Sequence, residues 1–150
     1  MAAGFTEALA AWLDKTTNLR VRLAKQAEMP MPGHVYLAPP DTHMEFGATG
    51  AIRLTTSPSR AGHRPSVTVA FESAAKAFGA RSIAVLLTGM GVDGAAGMQA
   101  LSEAGAMTLA QNAETCVIYG MPRAAVELGA VRHALSPTGI ADTLIEAARP

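Results

Sequence analysis

Cysteine is nearly missing from this chain: Cys116 is the one example in 150 residues. That excludes an intrachain disulfide framework and agrees with a reducing compartment. Excess charge is missing too, since 12 lysines and arginines stand against 12 aspartates and glutamates, scattered without a basic stripe or acidic tail. A nucleic-acid partner or an anionic membrane surface would leave an electrostatic footprint, and there is none. No apolar run approaches the roughly 20 residues of a bilayer-spanning helix, so no membrane insertion is expected. Met1-Ala2-Ala3-Gly4 has no charged segment ahead of an apolar one, so no signal peptide is expected. The histidines lack a metal-ligand spacing such as H-E-x-x-H, and neither a metal nor another cofactor is expected. No repeats, low-complexity tracts or G-x-S-x-G turn occur. What these absences leave is one cytoplasmic α/β domain, with 49% apolar residues to build a core.

Helix spacing of Phe5, Leu9, Trp12 and Leu13 predicts a first helix over 4–16 with those residues inward. Leu19 to Ala24 reads as a strand, and His34 to Leu37 as a second. Residues 44–46 and 51–55 read as an antiparallel hairpin around Gly47–Gly50. Ser66 is placed as the N-cap of a helix with Val67, Ala70, Phe71, Ala74 and Phe78 inward. Strand and helix then alternate: strand 83–87, helix 95–104 stopped by Gly105, strand 107–111, a helix from Pro122 to Gly129, strand 131–135. A last helix, capped by Ser136-Pro137, has Ile140, Leu144 and Ile145 inward. Such alternation predicts an α/β fold with a doubly wound, mainly parallel sheet, helices on both faces and one antiparallel hairpin.

Asp93 is the most telling residue. It lies in Leu87-Thr88-Gly89-Met90-Gly91-Val92-Asp93-Gly94-Ala95-Ala96-Gly97, where a buried strand breaks into a glycine-dense turn that opens a helix. That places a carboxylate at the carboxyl edge of a sheet, where open α/β folds carry their chemistry. Gly89-x-Gly91-x-x-Gly94 also fits a dinucleotide fingerprint. An acid inside the turn would set like charge against a pyrophosphate, which argues against that use. Two readings of Asp93 stay open on the residues alone: a helix-start acid, or an acid that orients a catalytic partner.

Several separated motifs carry a resemblance. They are the 87–97 segment, Ala110-Gln111 with Cys116-Val117, Gly120-Met121-Pro122-Arg123-Ala124-Ala125, Leu128-Gly129-Ala130, His63-Arg64-Pro65-Ser66-Val67, Gly33-His34-Val35-Tyr36-Leu37-Ala38-Pro39 and Gly4-Phe5-Thr6. Together they resemble the chemotaxis protein-glutamate methylesterases, the CheB family, along essentially the whole chain. The resemblance implies a serine esterase with a Ser-His-Asp triad that hydrolyses glutamate methyl esters on methyl-accepting chemoreceptors, in two-component chemotaxis signalling. It maps the triad acid to Asp93 and an oxyanion-hole donor to the backbone N–H of Met90. It also implies that the nucleophilic serine, in a Ser-Thr-Gly-Gly turn, and the histidine stand on two strands before Met1. Residues 1–150 are thus expected to be a partial methylesterase domain, inactive alone, with an upstream receiver domain or the missing N-terminal fragment as a partner. The alternative is a non-catalytic remnant or a receptor-binding module. Val92, Thr68, Asn112 and Thr115 depart from the family pattern, which implies Ser or Asn, Asp, Asp and Ser.

Within the chain, His34 and His43 are expected to be exposed, His63 to lie in a polar loop and His133 in a late strand. Ser66 reads as a cap and Cys116 as a small buried hydrophobe. Met98 and Met107 read as core.

Overall fold

The computed structural model describes residues 4–149. Helix α1 (Phe5–Thr16) leads into strands β1 (Arg20–Leu23) and β2 (His34–Leu37), which pair in parallel with Val21 beside Val35. Asp14, near the end of α1, accepts the Val21 N–H at 2.7 Å. A carboxylate on a strand's outer edge blocks further pairing there. The opposite edge of β2 meets no described strand.

The expected hairpin forms from β3 (His43–Phe46) and β4 (Ile52–Thr55), turning through Gly47–Gly50. It packs on helix α2 (Val67–Phe78), where the Ser73 hydroxyl accepts the Phe46 N–H and Phe46 meets Phe78 edge-on. Ser66 caps α2 as expected, its hydroxyl accepting the Val69 N–H. A short 3-10 turn, Gly79–Arg81, ends the helix.

The remaining elements alternate: β5 (Ile83–Leu86), α3 (Ala95–Glu103), β6 (Met107–Gln111), α4 (Met121–Glu127), β7 (His133–Leu135) and α5 (Pro137–Ala147). Strands β5, β6 and β7 form a parallel sheet in sequence order, joined through α3 and α4. The fold is therefore α/β with mainly parallel strands and one hairpin. The parallel strands come in two pieces, β1–β2 and β5–β6–β7, with no hydrogen-bonded ladder between them among the described residues.

Ala84, Leu86, Met98 and Leu101 form the heart of the core, and Phe71 of α2 packs against it. Helices α2 and α3 touch closely because Gly97 has no side chain. A Cβ there would lie 2.6 Å from Phe71 Cβ and 2.7 Å from the Thr68 carbonyl oxygen. This contact sets the N-terminus of α2 beside the loop that opens α3, where the site forms. Among the described residues, no helix is long and apolar enough to cross a membrane.

Two inward faces differ from expectation. In α1 the buried residues are Thr6 and Ala10, while Phe5 and Trp12 are exposed, Trp12 by 60%. The paired strands under α1 number two, too narrow a support to cover a broad apolar stripe. In α5 only Ile140 is buried, and Leu144 and Ile145 are exposed. Periodicity locates a helix, but what lies opposite decides which part of its apolar face is covered.

Candidate active site

Strand β5 ends at Leu86, and the turn that follows is held from three sides. Buried Gln111, at the end of β6, accepts the Thr88 N–H at 2.8 Å and donates to the Thr115 carbonyl at 2.8 Å. The Thr88 hydroxyl donates to the Ile118 carbonyl at 3.0 Å and accepts the Ile118 N–H at 2.9 Å. Gly89 donates its N–H to Ile118 and accepts that of Met121 at 2.8 Å. The two loops press together at Gly120, where a Cβ would meet the Gly89 carbonyl oxygen at 2.6 Å. This clamp presents Met90 at the rim, 79% exposed. Among the described residues, the Met90 N–H donates to no protein acceptor. Val92, Val117 and Ile118 are exposed beside it.

Asp93 turns the other way, inward, and is 8% exposed. Its Oδ1 accepts the Ser66 hydroxyl at 2.8 Å and the Thr68 N–H at 3.0 Å, and its Oδ2 accepts the Val67 N–H at 2.8 Å. The carboxylate therefore sits at the N-terminus of α2, not at the start of α3, which follows it in sequence. Helix-start N–H groups favour a negative charge. Burial alone pushes the Asp93 carboxyl up, but the N–H groups of Thr68 and Val67 and the Ser66 hydroxyl prevail and hold it below the usual aspartate range. An ionised carboxylate accepts about four hydrogen bonds. With these three made, Oδ2 keeps capacity for another donor. Ser66 and Val67 also line an apolar cavity of about 240 Å³ together with Ala38, Met44 and Phe71.

The start of α3 is occupied from within. Gly94 is its N-cap and donates its N–H to the Thr68 hydroxyl at 2.8 Å. A Cβ at Gly94 would lie 2.9 Å from Val67 Cγ1, so this glycine lets the turn pack against the start of α2. Thr68 and Asn112, two departures from the family pattern, both accept hydrogen bonds here, Asn112 from the Thr115 hydroxyl.

His63 and His133 are exposed and His34 is half-buried. His43 is not exposed as expected: it is 1% accessible, its ring enclosed between the hairpin, the 57–65 loop and the start of α2. Cys116 is half-buried, its thiol over the Gln111 carbonyl. Met98 is fully buried as read. Beyond Asp93 and Met90, the site enlists Ser66, Thr68 and Gln111. Ser66 was legible as a cap and Gln111 as part of a motif. The proximity of Ser66 to Asp93, 27 residues away, left no trace in spacing.

The CheB methylesterase family profile matches residues 1–144. The chain belongs to the CheB methylesterase family. The chain is 48% identical over 151 aligned residues to a protein-glutamate methylesterase/protein-glutamine glutaminase of Pseudomonas aeruginosa, covering 99% of this chain and 43% of that protein. The Escherichia coli K12 protein of the same description is 48% identical over 134 residues, covering 87% of this chain and 38% of that protein. This CheB-family chain therefore spans about two fifths of the length of these relatives. Its fold superposes on the crystal structure of the Thermotoga maritima CheB methylesterase catalytic domain with a TM-score of 0.92 at 38% identity. That match covers 97% of this chain and 79% of the other.

Proposed function

We propose that this chain forms the acidic and oxyanion-binding part of a serine esterase that hydrolyses methyl esters of glutamate side chains on chemoreceptors. The observation that carries the reading is the Asp93 carboxylate, ionised, fixed by three donors and retaining acceptor capacity, beside a rigid turn that offers the Met90 N–H. In this reading Asp93 receives the N–H of a histidine, holds one tautomer and steadies the imidazolium formed when serine attacks. The Met90 N–H faces the ester carbonyl oxygen and stabilises the charge that develops there. Methanol leaves, and water releases the glutamate carboxylate from the acyl-enzyme. Attack on a glutamine side chain follows the same course with ammonia leaving, in keeping with the second activity in the relatives' name.

The 150 residues include no Ser-Thr-Gly-Gly turn and no Gln-His pair. The serine and histidine are therefore assigned to the part of the catalytic domain this chain does not span, about a fifth of the Thermotoga structure. A receiver domain whose phosphorylation regulates the site is proposed as a partner, as the family resemblance implies. Exposed Met90, Val92, Val117 and Ile118 support a protein substrate, since clustered apolar side chains at a rim mark contact surfaces.

The test is methanol release from methylated receptor. The 150 residues alone are expected to show no turnover, because losing nucleophile or base costs roughly a millionfold. Joined to the uncovered fifth of the domain, they are expected to turn over, and Asp93→Asn should then lower kcat by about 10⁴. Release of methanol by the isolated chain, or full activity of the joined Asn variant, would overturn the reading.

A further inference from the structure

His43 is a buried, hydrogen-bonding side chain with no part in the reaction just described. Its Nδ1 accepts the Ser66 N–H at 3.2 Å, and its Nε2 faces the Pro58 carbonyl oxygen at 3.2 Å. An amide must donate and a carbonyl must accept, so these partners set the neutral tautomer with the proton on Nε2. Ser66, held by its N–H, is also fixed through its hydroxyl. Oγ accepts the Val69 N–H at 3.4 Å and donates to Asp93 Oδ1 at 2.8 Å. The hydroxyl proton is thereby directed at the carboxylate.

We propose that His43 and Ser66 are positioning residues for Asp93. The imidazole ties the hairpin and the 57–65 loop to the N-cap of α2, and the N-cap hydroxyl locks the rotation of the carboxylate, leaving Oδ2 aimed for its remaining partner. A cap alone would need the Ser66 hydroxyl only as an acceptor for Val69. The donation to Asp93 and the buried imidazole behind the Ser66 amide are the additional features. This inference deepens the proposed role of Asp93 as the acid of the site and rests on that reading for its catalytic meaning. The geometry itself does not depend on it.

The experiment is a ¹³C-NMR titration of the Asp93 carboxyl in the 150-residue protein, wild type against Ser66→Ala, His43→Phe and His43→Gln. Losing a donor to the charged form raises a carboxyl pKa. Ser66→Ala is expected to shift the Asp93 midpoint upward, and His43→Phe to shift it in the same direction. His43→Gln, which keeps an acceptor and a donor, is expected to restore part of the difference. Ile140→Ala, a change at a buried residue of α5 outside the α2–α3 core cluster, serves as the control for lost stability and should leave the midpoint in place. If His43→Phe does not fold, Ser66→Ala and His43→Gln carry the test. Folded Ser66→Ala protein with an unmoved Asp93 midpoint would overturn the inference, as would an Ile140→Ala shift equal to its own. The titration reads the setting of the carboxylate whether or not it serves catalysis. A shift seen together with an active Asp93→Asn esterase would sink the proposed function alone, and an unmoved midpoint with an inactive Asn variant would sink this inference alone.

Discussion

Asp93 carries two duties on one carboxylate. It caps α2, a helix that begins 26 residues earlier in the chain, and it is proposed to hold an imidazole. The first duty has a thermodynamic consequence. Asp93→Asn keeps one acceptor oxygen but sets an NH₂ against donors already in place, so one buried donor loses its partner. The expected loss is about 1–3 kcal/mol in urea unfolding near neutral pH. Because the folded pKa is lowered, the carboxylate's stabilisation is complete above the ordinary aspartate value near 4 and disappears as pH falls through the lower folded value. The stability gap between wild type and Asp93→Asn should therefore narrow as acid is added from about pH 5 downward. A gap that stays constant into strong acid would show that Asp93 is not held as an ion. Gln111 offers a second residue-scale case. Its alanine variant frees the Thr88 N–H and the Thr115 carbonyl, and faster hydrogen exchange across 88–91 is the expected readout.

At the scale of elements, the contact between α2 and α3 decides whether Asp93 meets its donors at all. Gly97→Ala places a methyl group against the Thr68 backbone and Phe71 Cβ, neither of which can swing aside. Overpacking of this kind costs about 1–3 kcal/mol. Thermal unfolding should register that loss, and the Asp93 environment should change with it. A Gly97→Ala protein as stable as wild type would mean the helices slide freely. The same scale shows why strands were easier to read than helix faces. His34–Leu37 and Met107–Gln111 fall where expected to the residue, since Gly33, Pro39 and Gly105 punctuate them locally. The outward Trp12 and Ile145 depend on the width of the sheet beneath them, which no local pattern encodes.

For the whole molecule, the decisive feature is the pair of parallel pieces. The outer edge of β1 is blocked by Asp14, whereas β2 and β5 each have an edge that pairs with no described strand. Unpaired strand edges invite pairing with another chain. The 150-residue protein is therefore expected to associate as its concentration rises, read by light scattering after size-exclusion chromatography. A monomer at all concentrations with one sharp melt would contradict this. The fifth of the Thermotoga catalytic domain that this chain does not match, added in trans, should suppress association if it occupies those edges.

The sequence by itself determined the alternation of strands and helices, the hairpin, the caps at Ser66 and Ser136, the family and the position of Asp93 at a strand's carboxyl end. These are properties of neighbours along the chain, where spacing and punctuation act directly. Only the tertiary structure decided that Asp93 caps α2 rather than α3, that His43 is enclosed, and that Gln111 clamps the Met90 turn. Hydrogen bonds across 23 to 27 residues depend on which backbones come within 3 Å, and that is set by packing at Gly97 and Gly120.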